Sequence, residues 1–300
     1  MKTKIILVMA IFAILISLSF AAGIREKWQN AVQQYNNTRN QYMVAKDAYI
    51  AAKNNWTQIR EQYMLNKSLE NLHLAIFKAG KVLNSSVDHI EKYLEILGSK
   101  VENMTSLDTA DKEWMLAQIE SDKEAISALK AEAANVTNET SKEEFTAIRD
   151  KIKEQWFSVK AHVKQITGLM LASKMSQLIT LGEQLGINAS ARLSNLTASG
   201  YNSTDLQTWL ADYNSQLAIA RQKVESAKAS FKAITSPQDE EKNFQAGKNY
   251  LKEAKAALIQ AHKDLKKMSR TMKQDKPGKS QVTNKTRNKQ IEQEVDSETD

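Results

Sequence analysis

The sequence predicts an all-α protein: an elongated antiparallel helical bundle of coiled-coil hairpins behind a long N-terminal helix. Three observations carry this. Two prolines and nine glycines in 300 residues leave little to interrupt a helix. Ala, Lys, Glu, Gln and Leu, all strong helix formers, are abundant. Aromatic residues recur at every seventh position, at Trp28, Tyr35, Tyr42, Tyr49, Trp56 and Tyr63. That spacing keeps them on one face of a helix and suits no strand.

Residues 1–21 read as an export signal. Met1-Lys-Thr-Lys4 is a positive start, Ile5 to Phe20 is apolar or small, and Ser19-Phe20-Ala21 places small residues where a signal peptidase reads. The apolar run is shorter than the roughly 20 residues that span a bilayer, so cleavage after Ala21 is expected rather than an uncleaved anchor. No second apolar run follows, and no membrane span is expected after cleavage. The chain has no cysteine, which excludes disulfides, thiolate metal sites and a lipid-modified N-terminus.

The long helix is expected over residues 22–67. Its rings alternate with Ala31, Thr38, Ala45, Ala52 and Ile59. Four residues beyond each ring from Tyr35 on comes a cation: Arg39, Lys46, Lys53, Arg60 and Lys67. Residues 68–273 are expected to form the antiparallel bundle. Over 68–104 the apolar phase shifts to Leu69, Ile76, Leu83, Ile90, Leu97 and Met104, which reads as a change of partner without a required backbone break. Ser106 to Thr109 is a turn and cap, followed by a helix with Met115, Ile119, Ile126, Leu129 and Ala133 inward. Asn135 to Thr140 is a polar loop. Ser141-Lys-Glu-Glu144 is a capping box that opens a helix with Phe145, Ile148, Ile152, Trp156, Val159, Val163, Ile166 and Met170 inward, ending near Gly186. Ala189 to Ser199 is a short helix stopped by Gly200. Ser203 or Thr204 caps the next, to about Thr235. The last helix starts at Pro237 behind an N-cap at Ser236 and runs to about Lys273.

In these last two helices large residues alternate with mostly small ones, as in Leu217 with Ala220 and Leu258 with Ala261. Small residues let backbones approach, and a short turn at Thr235–Gln238 makes the pair an antiparallel hairpin. Residues 274–300 read as a charged, disordered tail. Lys263 to Lys289 carries ten Lys or Arg against Asp264 and Asp275, and the tip is acidic. Without Lys2 and Lys4, 40 basic residues face 35 acidic ones.

Asn-x-Ser/Thr begins at Asn36, Asn55, Asn66, Asn84, Asn103, Asn135, Asn138, Asn188, Asn195, Asn202 and Asn284. Composition alone gives about three such triplets, so N-glycosylation of a secreted chain is expected.

Catalytic patterns are missing. His73, His89, His162 and His262 are scattered, and only Glu70-Asn-Leu-His73 has the spacing of a di-iron helix, without the second copy such a site needs. There is no Gly-rich phosphate loop, Gly-x-Ser-x-Gly or His-Glu-x-x-His. No enzyme activity, cofactor or metal is expected.

The repeat Tyr42-Met-Val-Ala-Lys46, Tyr49-Ile-Ala-Ala-Lys53, together with the signal, the dense sequons and the cysteine-free helices, resembles secreted or cell-surface helical proteins of archaeal type. The resemblance implies an extracytoplasmic location and brings no activity with it.

The expected contact residues are therefore Trp28, Tyr35, Tyr42, Tyr49, Trp56, Tyr63, Arg39, Lys46, Lys53 and Arg60. Six half-buried rings are worth on the order of 12–18 kcal/mol, so the seam must be covered. A seven-residue stripe drifts about 20° per heptad around a straight helix, which favours helices as the cover, from this chain, a second copy or another surface protein. Tyr and Trp beside cations also suit glycans or an anionic envelope polymer. A holdase clamping exported chains is a further alternative. No nucleic-acid partner is expected of an exported chain.

Overall fold

The computed structural model describes residues 22–200 and 202–274, with side chains described for residue 33 and from Asn36 to Met272 apart from Tyr201. The export signal and the charged tail lie outside the described residues. Six helices and no strand occur among the described residues: α1 (Ala22–Leu65), α2 (Leu69–Glu102), α3 (Thr109–Ala134), α4 (Lys142–Ala198), α5 (Thr204–Lys232) and α6 (Glu240–Gln274). The chain is all-α, as its composition predicts. It divides into two compact units, the described parts of Met1–Asn103 with Ile119–Ile152, and of Met104–Gln118 with Lys153–Asp300.

In the first unit the phase shift between Tyr63 and Leu69 is a turn, not a bend in one helix. Ser68 is extended (φ −70°, ψ 155°) and its Oγ accepts the Asn71 N–H at 3.2 Å, which caps α2. Asn71 Nδ2 donates back to the Asn66 carbonyl at 2.9 Å. The tight link folds α2 along α1, and the two pack together. Ile76, Ala79, Val87, Ile90, Leu94, Leu97 and Val101 are buried, much of the predicted seam, while Leu69 at the turn is 68% exposed. Later α3 adds Ile119, Ile126 and Ala133. The loop from Asn135 to Thr140 is polar except for Val136, which is 4% exposed and sits where a Cβ on Gly80 would have to be. The capping box forms: Ser141 N–H and Oγ both donate to Glu144 Oε2 at 2.9 Å, and Glu144 N–H donates to Ser141 Oγ at 3.1 Å.

In the second unit Asp108 caps α3, accepting the Asp111 N–H at 2.7 Å. The predicted stop near Gly186 does not occur: α4 is continuous for 57 residues. Its glycines mark close approach instead of a helix end. A Cβ on Gly186 would lie 2.9 Å from Tyr213 Cε1, and one on Gly182 3.0 Å from Leu217 Cδ2. The Tyr213 hydroxyl donates to the Gly182 carbonyl at 2.5 Å. Only Gly200, at φ 79°, is a stop. Phe231 of α5 is fully buried, with its ring filling the space a Cβ would take on Gly168 of α4 and on Gly247 of α6. Three helices thus close on one ring. Trp156, predicted inward, is 40% exposed at the rim of the buried row Ile152, Val159 and Ile166.

The start of α6 also moves, from Pro237 to Glu240. The Asp239 carboxylate turns back and accepts from the backbone N–H and hydroxyl of both Thr235 and Ser236, at 3.0–3.2 Å. That holds Asp239 at the cap, so the first ladder bond runs from Asn243 N–H to the Asp239 carbonyl at 3.0 Å. Burial works to raise this carboxyl, but the four donors hold it low. Beyond the turn α6 returns along α5, burying Ala254, Ala261 and Met268. The antiparallel hairpin read from large and small residues is present.

Candidate functional site

The long N-terminal helix is a single element of 44 residues. The backbones of Trp28 and Tyr35 lie in it, while their side chains fall outside those described. Tyr42, Tyr49, Trp56 and Tyr63 are all half-buried, and so are Ala45, Ala52 and Ile59 between them. This is one continuous side of α1, and Tyr42 and Tyr49 meet α2 along it. No described side chain of α1 is fully buried. Two helices alone cannot enclose a ring seam, because each ring has only one facing surface.

The closest part of the seam is built around a residue that the spacing of rings did not reveal. Tyr42 stacks on His89 of α2, with centroids 4.7 Å apart and planes at 30°. Tyr49 lies parallel to the same imidazole at 6.0 Å and 9°. Tyr42 also tilts against Tyr93, at 5.9 Å. His89 and Tyr93 are one turn apart on α2, so a hairpin folded at Asn66–Ser68 brings both to Tyr42. Burial pushes the His89 imidazole below its ordinary pKa, and the Lys46 ammonium pushes it the same way. Its Nε2 is buried without a hydrogen-bond partner. Burial raises the Tyr93 phenol, and Tyr42 adds to this. Burial lowers Lys100 on α2, and Arg39 on α1 lowers it further. Like charges therefore face each other across this seam.

The cations of α1 stand to one side of the rings. Arg39, Lys53 and Arg60 are exposed, Lys46 is half-exposed, and Lys67, expected in the helix, is exposed in the turn beyond its end at Leu65. Of the expected ring–cation pairs, Arg60 forms one over Trp56, at 5.5 Å from the centroid. None of these five cations makes an ion pair with a described residue. Elsewhere pairing is common: Lys130 with Asp88 and Glu91, Lys164 with Glu240 and Glu241, Arg221 with Glu183, Lys232 with Asp111.

Among the sequons, Asn36, Asn55, Asn66, Asn103, Asn135, Asn138, Asn188, Asn195 and Asn202 are exposed. Asn84 is half-buried, with its Oδ1 enclosed and unpaired. Asn284 lies outside the described residues. Among the described residues no three His, Asp or Glu side chains come together as a metal-binding set. His162 meets Gln118 at 3.0 Å. An open depression of about 530 Å³ between Glu183, Gly186, Ile187, Ser190, Ala191 and Asn214 contains one carboxylate, and Arg221 already pairs it at 2.5 Å. A nucleophile with a base beside it is not assembled there. Among the described residues no helix is long and apolar enough to cross a membrane.

No family model, curated protein or solved structure matches the chain. Fold and site define a class only, an all-α helical bundle with a partly covered aromatic and basic leading helix.

Proposed function

We propose that this is an exported, non-enzymatic structural or interaction protein of the cell surface, and that α1 is its contact element. One observation carries the reading: α1 runs unbroken for 44 residues, yet its described rings, Tyr42, Tyr49, Trp56 and Tyr63, stay half covered. Helices kept only for stability bury their seam, as α5 does with Tyr213, Leu217, Val224 and Phe231. Partly covered Tyr and Trp, beside cations that make no ion pair with a described residue, are the composition of a recognition surface. Export follows from the reading of residues 1–21, and the exposed sequons suit a chain displayed outside the cell.

The test is photo-crosslinking from α1. A photoreactive residue replaces Ile50 in the mature chain, which is then mixed with an envelope fraction. Crosslinked adducts dependent on light are expected at this position and not at an exposed site on α6 such as Lys255. Equal or absent adducts at both positions would sink the assignment of α1.

The exposed cations also support a second reading, a binding module for glycan or anionic envelope polymer. An acidic-glycan array separates the two, since a protein-binding helix leaves it unlabelled. A holdase would suppress aggregation of unrelated denatured proteins, which neither of the other readings requires.

A further inference from the structure

Beside the ring seam, α1 carries a second periodic row that points away from it. Met43, Ile50, Thr57 and Met64 follow each other at seven-residue intervals. Met43, Ile50 and Met64 are 41%, 43% and 58% exposed. Thr57 spends its hydroxyl on the Lys53 carbonyl at 2.9 Å, which leaves its methyl as the outward group. Lys46, Lys53 and Arg60 interleave with this row. Each lies three residues after one member and four before the next, so the two sets form one continuous stripe.

Within α1 the stripe reads Met43, Lys46, Ile50, Lys53, Thr57, Arg60, Met64. Its steps alternate three and four. That is the heptad pattern of a helix that faces another helix, with an apolar residue at one seam position and a cation at the other. It runs about 32 Å, at 1.5 Å per residue. We propose that this open flank of α1 is the docking surface for an acidic amphipathic helix of a partner protein, which rests on α1 being the contact element.

Charge complementarity selects this occupant. Three cations at successive seam positions, Lys46, Lys53 and Arg60, make no ion pair with any described residue. A facing helix with Glu or Asp at the matching heptad positions and aliphatic residues between them would satisfy both sets. A second copy of α1 would set cation against cation at every heptad if parallel, and cation against an apolar side chain with no counter-charge if antiparallel, so neither satisfies the charges. A polysaccharide would meet the charges but has no use for three aliphatic side chains in register between them. The sequons leave the path clear. Asn55 lies about half a turn away from the stripe, Asn66 lies in the turn beyond α1, and only Asn36, one heptad before Met43, falls on its line. Sugar at Asn36 would bound the surface at its N-terminal end.

The test uses two synthetic 28-residue peptides, both helical and with the same heptad apolar row, one with Glu and one with Lys at the alternating seam position. Binding to the full mature chain is read by fluorescence anisotropy. The Glu peptide is expected to bind, to weaken about tenfold or more as salt is raised, and to be lost in K53E/R60E. That variant should instead accept the Lys peptide, a switch that mere surface charge loss would not produce. Circular dichroism checks that α1 remains helical; should K53E/R60E disturb it, Ile50→Ser serves instead, with the Glu peptide expected to bind at least fivefold more weakly. Equal binding of a non-helical, Pro-interrupted peptide with the same Glu content would overturn the proposal in favour of any polyanion. So would failure of the Glu peptide to bind, or sedimentation of the chain as a dimer that K53E/R60E strengthens. Crosslinks from position 50 to polysaccharide or to the chain itself would refute the helix partner while leaving α1 as the contact element; absence of crosslinks removes both.

Discussion

The α1/α2 and α5/α6 hairpins follow one sequence rule and reach different ends. Each sets larger residues at one seam position and mostly small ones at the other. In α5 both rows are closed: Leu217, Val224 and Phe231 on one, Tyr213, Ala220 and Ala227 on the other, none more than 3% exposed. In the described part of α1 neither row is. α5 lies between α4 and α6, with Phe231 meeting Gly168 and Gly247, whereas Tyr42 and Tyr49 of α1 stack against α2. A heptad pattern therefore states which side of a helix is to be covered, while the number of neighbours decides how completely.

The comparison can be broken most forcefully at Phe231. Phe231→Ala empties the space shared by three helices and is expected to cost about 3–5 kcal/mol, read as earlier urea unfolding of α4–α6 by hydrogen exchange. Exchange is the right readout because a chain of two compact units need not unfold in a single step. Gly247→Ala comes next. Ala is the better helix former, but its methyl would overlap the Phe231 ring, so a net loss of about 1–3 kcal/mol is expected from overpacking. A gain in stability would show that α5 and α6 can separate freely.

Tyr42→Ala tests the half-covered hairpin. Removing about half a ring's burial is worth about 2 kcal/mol, with faster amide exchange expected in α1 and no change in α5 or α6. Ser68→Ala removes the α2 cap and should cost about 1 kcal/mol, with fraying of the first turn of α2. Acid supplies the smallest and most diagnostic effect. His89 is depressed in the folded chain, so its neutral form favours folding; that contribution is intact above the ordinary imidazole range near 6.5 and is lost as pH falls through the folded value. Exchange of α1 amides, corrected for intrinsic rates, should rise between pH 7.5 and 5. His89→Phe keeps a ring between Tyr42 and Tyr49 and should abolish that rise. Glu241, held at about 2 by its hydrogen bond and charge contact with Lys164, keeps its contribution above the ordinary carboxylate range and loses it only as pH drops toward 2. The α6 start should therefore outlast α1 in acid.

Much of the architecture was legible because it rests on periodicity. The unbroken α1, its ring side, the Ser141–Glu144 box and the α5/α6 hairpin all follow from spacing and capping chemistry. The misreadings share one cause, residues whose local meaning is double. Gly186 can stop a helix or admit Tyr213, and only the neighbouring helix decides. Ser236 and Asp239 can each cap, and the choice falls to the carboxylate that reaches four donors. Val136 sits in a loop read as polar, yet Gly80 leaves a space of its size. His89 and Tyr93 carried a usable signal, their one-turn spacing on α2. It becomes readable only once the turn at Asn66–Ser68 fixes which parts of the two helices stand opposite each other.

Val136 also governs what its neighbours can do. Asn135 and Asn138 flank a side chain locked against Gly80. Any oligosaccharide attached there would spring from an anchored root instead of a swinging tether. It would shade a fixed sector of the first unit, and replacing Val136 by a smaller residue would let that shadow wander.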